Sequence, residues 1–250
     1  MHKTLLLVSL FGAACSYPRY VATKVVELQL PVEAAARLHC ETHNGDIKIR
    51  RGATSETIAV RAEMSVRGFT QEEADANLHL LSVGQARDGD RLKLFGAYPR
   101  SELRNRSPSF AFTLQVPEAM ALELVTHNGD VETRGTSGAL SVETHNGDIE
   151  GAVASPKVRV RTHNGDVDLE IESDGALDGS LTTHNGNVRL SLAGGAHGWL
   201  EAVTHNGSIS PPDGMHEATV RRRSVRGRIG EAATDGRLRV ETHNGSVVVR

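Results

Sequence analysis

Apolar and polar residues alternate with period two through most of this chain, and the alternation stops at near-regular intervals on one tetrapeptide, Thr-His-Asn-Gly. Period two is the signature of a strand with one buried face. The apolar columns keep a fixed offset from the tetrapeptide. Four residues before its Thr stand Leu38, Leu122, Leu140, Val158, Gly179, Leu200, Val220 and Leu238. Two before it stand Cys40, Leu124, Val142, Val160, Leu181, Ala202, Arg222 and Val240. Five after it stand Ile47, Val131, Ile149, Val167, Val188, Ile209, Ile229 and Val247. Each unit therefore reads strand, turn, strand.

The tetrapeptide begins at Thr42, Thr126, Thr144, Thr162, Thr183, Thr204 and Thr242, with spacings of 84, 18, 18, 21, 21 and 38 residues. Repetition at 18–21 residues predicts a solenoid of stacked units. The last gap is read as holding a worn copy, Ser224-Val225-Arg226-Gly227-Arg228-Ile229, which makes eight units. Glycine then fills one column without exception: Gly45, Gly129, Gly147, Gly165, Gly186, Gly207, Gly227 and Gly245. The expected cause is a positive φ, which glycine adopts freely. Asn-Gly could close a two-residue hairpin or turn a solenoid corner, and periodicity leaves both open. The final strand runs to Arg250, so the last coil is expected to be an open edge able to associate end to end.

The 84-residue gap predicts an insertion at about 51–116. Thr57–Val66, Arg91–Phe95 and Phe110–Val116 alternate as strands. Thr70 with Glu73 forms a capping box for one helix whose apolar face is Ala74, Leu78 and Leu81. Arg100–Ser109 is a polar, basic loop. Before the first repeat, Val25–Leu30 reads as a strand closed by Pro31.

Composition adds an address and removes some functions. The start is a leader at 1–14: His2 and Lys3, an apolar run Leu5–Phe11, then Gly12-Ala13-Ala14 before Cys15. Small residues before a cysteine resemble the bacterial lipobox, so Cys15 is the expected lipid attachment site and 15–24 a tether, with plain secretion as the alternative. Cys40 falls in an apolar column and reads as a small core residue. Net charge is −3, which gives no electrostatic case for nucleic acid as a partner. Aromatics are only 4%, which suits a core of stacked aliphatic rows.

The units Leu140–Ile149 and Leu122–Val131, with their Asn-Gly-Asp-aliphatic centres, resemble the bacterial domains of unknown function known as putative adhesins. The likeness covers about 25–250. It implies a right-handed β-helix-like stack, often exported or membrane-anchored, and brings no catalytic residues. The fold expected is therefore all-β: a right-handed β-helix or β-solenoid of 18–21-residue units over 25–250, with a small α+β N-terminal elaboration.

Three columns carry candidate chemistry. If the units stack, His127, His145, His163, His184 and His205 form a row of imidazoles that could share a metal ion, respond to pH, or simply pack. Asp46, Asp130, Asp148 and Asp166 flank the same turns. Arg221, Arg222, Arg223, Arg226 and Arg228 make the worn unit basic and able to meet an anionic surface. The sequence assigns no cofactor and no catalytic group. It is read as a non-enzymatic structural or adhesive surface module of the cell envelope, held to the outer membrane or periplasmic side by a lipid anchor. Its partners would be the membrane, an envelope component or glycan, and a second copy. The alternatives are a periplasmic metal-binding protein using the histidine row, and a self-associating β-helical scaffold.

Overall fold

The computed structural model describes residues 18–103, 106–193, 195–230 and 236–250, so the leader at 1–14 and Cys15 lie outside it. The first half of the chain runs β1 (Tyr20–Pro31), β2 (Arg37–Glu41), β3 (Ile47–Arg51), β4 (Thr57–Gly68), α1 (Gln71–His79), β5 (Ser82–Asp88), β6 (Arg91–Ala97), β7 (Ser109–Val116), β8 (Ala121–Val125) and β9 (Val131–Thr136). The second half runs β10 (Leu140–Glu143), β11 (Ile149–Val153), β12 (Lys157–Arg161), β13 (Val167–Glu172), β14 (Asp178–Asn185), β15 (Val188–Ala193), β16 (Gly198–Asn206), β17 (Ile209–Ser210), β18 (His216–Arg221), β19 (Ser224–Ile229), β20 (Arg237–Asn244) and β21 (Val247–Val249).

These strands form two facing sheets. One has ten strands in the order β1-β4-β7-β3-β9-β11-β13-β15-β21-β17; the other has eleven, β18-β19-β16-β20-β14-β12-β10-β8-β2-β6-β5. Each coil gives one strand to each sheet, and successive coils pair in parallel with equal positions opposed: Leu140 lies beside Leu122 and Val158, Ile149 beside Val131 and Val167. The apolar columns thereby become continuous rows between the sheets, and Leu38, Cys40, Ile47, Val131, Ile149, Val160, Val167, Val188 and Val247 are all buried. Full burial of one such aliphatic side chain stabilises by roughly 1.5–3 kcal/mol. Burial in this row pushes the Cys40 thiol well above its ordinary value, as befits a core residue.

Every Thr-His-Asn-Gly is a corner between the sheets, not a hairpin. Pairing continues around it, because bridges join Asn44 to Asn128, Asn128 to Asn146 and Asn146 to Asn164. The glycines are needed chiefly for closeness. A Cβ on Gly129, Gly147, Gly165, Gly186, Gly245 or Gly207 would overlap the carbonyl oxygen of the glycine in the adjacent coil, and one on Gly45 would overlap that of Phe110. Positive φ, the expected cause, is found at four of the eight column glycines, with Gly45 (124°) deepest in the left-handed region. At Gly165, Gly186 and Gly245 φ lies at 154–159°, close to extended backbone.

Three further expectations are corrected. Residues 20–24 belong to β1, paired with β4 through Lys24 opposite Met64, so the tether at 15–24 does not reach that far. The worn copy is not a coil. Ser224–Ile229 is β19, antiparallel to both β16 and β18, with Gly227 in mid-strand opposite Leu200. Two of its three supposed core residues face out: Val220 is 66% exposed, and Arg222 lies in the exposed turn between β18 and β19, while Ile229 packs on the core. An Arg in a core column and a missing Thr and Asn leave nothing to hold a corner there.

Third, the last coil is not an open edge. β20 lies between β14 and β16, and β21 between β15 and β17. The C-terminal coil is thus inserted between the two coils that precede it in sequence. The outer end of the eleven-stranded sheet is instead closed by the β18–β19 hairpin.

At the other end, the 51–116 segment builds the base of the same stack. β6 pairs in parallel with β2 and β7 with β3, adding one more layer. Antiparallel β4, β1 and β5 finish it. Helix α1 starts as the sequence predicts: the Glu73 amide donates to Thr70 Oγ1 at 3.2 Å. The Glu73 carboxylate accepts from the Phe69 amide at 2.7 Å and pairs with Arg106 at 2.6 Å.

Candidate functional site

The corner holds four side-chain columns, and each does something different. The Thr column points inward and is buried. Thr126, Thr144, Thr162, Thr183, Thr242 and Thr204 donate to the carbonyls of Gly45, Gly129, Gly147, Gly165, Gly186 and Gly245, at 2.8–3.2 Å. Thr42, whose lower neighbour has no such glycine, donates to Asn44 O instead at 3.0 Å. The Asn column is an amide ladder in the order 44, 128, 146, 164, 185, 244, 206, each Nδ2 and Oδ1 linked at 2.7–2.9 Å. At its foot Asn44 Nδ2 donates to Pro108 O at 3.1 Å.

The Asp column is also spent on the stack. Asp46, Asp130, Asp148 and Asp166 each accept the amide of the equivalent residue one coil on, at 2.8–3.0 Å. Asn187 and Ser246 make the same bond in the coils where Asp is lost, at 3.0 and 3.3 Å. A neutral oxygen suffices for that bond, so replacing Asp in later coils relieves like-charge stacking without losing the contact.

The His column is the one with chemistry left over. The rings stack in the order His43, His127, His145, His163, His184, His243, His205, with centroids 4.7–4.8 Å apart. The planes are within 5° of parallel except the last pair, tilted by 32°. The expected row of five is therefore a row of seven. His184 and His205 are not neighbours, because His243 of the inserted coil stands between them. Among the described residues, no ring nitrogen in the row has a hydrogen-bond or carboxylate partner. His163 is held below the ordinary histidine value, first by the partial cover of its surroundings and then by the charges of His145, His184 and Arg161.

This stacking does not favour a shared metal. Ring lone pairs lie in the ring plane, and parallel planes keep them parallel, whereas two imidazoles on one ion must converge on it at about 2.0–2.1 Å. Among the described residues, no three His, Cys, Asp or Glu side chains are grouped to hold an ion.

A groove of about 1130 Å³ runs along the lower half of the row. His43, His127, His145 and His163 line it together with Phe95, Tyr98, Arg100 and Pro108 of the N-terminal elaboration and with Glu41, Glu143 and Arg161. Tyr98 lies against Phe110 with ring centroids 6.0 Å apart. Sequence reasoning missed this lining, since nothing in the spacing of Phe95 or Tyr98 says that the loop after β6 folds beside the corner. The basic residues expected to act together all lie on the β18–β19 hairpin; Arg226 sits over Trp199 at 5.0 Å and Arg228 pairs with Glu217 at 3.4 Å.

The family is decided by the match of one family model, Toastrack DUF4097, to residues 11–250. The chain belongs to the Toastrack DUF4097 family. Its fold is shared with a solved protein described as a putative cell adhesion protein from Clostridium sporogenes, 11% identical, covering 91% of this chain and 99% of that one with a TM-score of 0.52. A putative adhesin from Bacteroides fragilis is also 11% identical, over 91% of this chain and 97% of that one, with a TM-score of 0.37. No curated protein matches. Among the described residues of this Toastrack chain, no helix is long and apolar enough to cross a membrane.

Proposed function

We propose that this Toastrack protein is a non-enzymatic, exported adhesive module whose ligand lies in the groove along the histidine row. The observation that carries this is the division of labour at the corner. Thr and Asn are bonded within the stack, and each Asp gives at least one carboxylate oxygen to it. Among the described residues, what has no hydrogen-bond partner in the stack is a regular line of imidazoles beside Tyr98, Arg100 and Arg161. Such a surface offers many equivalent hydrogen bonds along a line, which suits an extended envelope glycan better than a small substrate. The leader at 1–14 and lipidation of Cys15 would place it at the cell envelope.

The test is retention of the exported chain on an array of envelope glycans, compared with Tyr98→Ala and His145→Ala. Retention lost in either variant supports the reading. No retention of the parent, or turnover of a glycan by it, overturns it. The metal-binding alternative would need the rings to turn out of their stack. Metal uptake abolished in His145→Ala/His163→Ala would favour it over the glycan.

A further inference from the structure

One coil of the stack is charged in a way the others are not. Its strand in the eleven-stranded sheet, β12, turns Lys157, Arg159 and Arg161 outward, all exposed. Its strand in the ten-stranded sheet, β13, turns Asp168, Glu170 and Glu172 outward, also all exposed. The two rows are on opposite faces of the same coil, separated by the core. β12 is the sixth strand of eleven and β13 the seventh of ten, so both rows lie near mid-length.

Elsewhere on these faces several opposite charges are paired within the chain, although among the described residues single ones such as Lys48 and Glu143 have no ion pair. The ten-stranded sheet pairs Arg50 with Glu132 and Arg134 with Glu132 and Glu150. The eleven-stranded sheet pairs Arg37 with Asp90, Arg91 with Glu123, and Arg239 with Glu201 and Glu241. Among the described residues, none of the six charges of the β12–β13 coil has an oppositely charged group within 4.0 Å. Lys157 has Asp178 as its neighbour on β14, and Arg161 has Glu143 on β10, yet neither pair closes. Asp168 has Arg189 beside it on β15, and Arg189 pairs with Asp166 instead, at 3.6 Å. The central residue of each row is flanked on both sides by small uncharged ones: Arg159 by Ser141 and Ser180, Glu170 by Ala152 and Ser191. Beside the basic row the small residues Ala121, Ala139, Ser141 and Gly179 leave a hollow of about 230 Å³.

We propose that these faces are a self-complementary interface, and that the acidic β13 row of a second copy of this chain docks on the basic β12 row, Glu170 meeting Arg159 beside the hollow. Three charges meet three of opposite sign at strand spacing, which fixes register as well as attraction. The interface is heterologous, because the two halves are on opposite faces of one molecule. It does not close on itself, and copies add side by side. The contact is between exposed charges, so it is weak and screened by salt. It shares only Arg161 with the histidine groove, and Arg159→Glu, outside the groove lining, tests it separately from the adhesive reading.

The experiment is sedimentation velocity or light scattering of the exported chain over a concentration series at low and high ionic strength. Concentration-dependent association at low salt, reversed by high salt, is expected. Lys157→Glu/Arg159→Glu/Arg161→Glu and Asp168→Lys/Glu170→Lys/Glu172→Lys should each be monomeric alone, and mixing the two should restore association as hetero-pairs. Single Arg159→Glu, the mildest change, should weaken association by an order of magnitude. Circular dichroism of each variant confirms its fold. A parent that remains monomeric at low salt and high concentration overturns the proposal. So does association that survives the triple reversals, or a mixture that fails to associate.

Discussion

Two segments carry the same glycine and aliphatic spacing and fold differently. Thr144–Ile149 turns a corner between parallel sheets, whereas Ser224–Ile229 runs straight as an antiparallel strand at the end of the stack. What separates them is Thr and Asn. Thr144 ties the corner to the Gly129 carbonyl of the adjacent coil and Asn146 links amides on both sides. Ser224 and Arg226 stand in those places in the second segment, and no such bonds form. Glycine permits the close approach, and the Thr and Asn bonds make it worth adopting. The seven real corners therefore have no exception in Thr, His, Asn or Gly.

The largest effect should come from the glycines. Gly147→Ala places a methyl on the rigid Gly129 carbonyl and should cost about 3 kcal/mol or more by chemical denaturation. Gly227→Ala meets the end of the Met215 side chain, with Cε 2.7 Å away, and backbone atoms of Ala218 and His216 only at 3.1 Å, and should cost less, about 1–2 kcal/mol. Equal losses at the two sites would erase the distinction between corner and strand.

Asn146→Ala removes one donor and one acceptor from the ladder and should cost about 1–2 kcal/mol. Thr144→Val, which keeps the shape of a buried side chain and strands the Gly129 carbonyl, should cost about 1 kcal/mol. Ser224→Ala and Arg226→Ala in the hairpin should stay within about 0.5 kcal/mol.

The smallest effect is a pH dependence. The unfolded chain takes up a proton on His163 near the ordinary histidine value, while the folded chain resists it until lower pH. Between those values the unfolded state holds more protons, so stability is complete above the window and declines as pH falls through it. Unfolding midpoints followed from pH 7.5 to 5 should fall for the parent and fall less for His163→Asn. A midpoint that rises on acidification would contradict the stacked row.

Period-two alternation and the repeated tetrapeptide were enough to settle strands, stacking and the buried columns, because a β-strand exposes its two faces alternately whatever surrounds it. The helix cap at Thr70 was legible for the same reason: it is a bond between residues three apart. The same local grammar misled at Ser224–Ile229, where glycine and isoleucine fit a corner in spacing alone. It misled again on the C-terminal coil, expected as an open edge and found inserted between two others. Units with the same motif are interchangeable as neighbours, so equal residues meet in register whichever coil lies beside which. Only the tertiary structure decided that His243 separates His184 from His205, that the loop after β6 walls a groove along the row, and that the charges of β12 and β13 find no partner within the chain. Those are relations between distant segments, set by which coil the chain reaches and not by any residue's own preference.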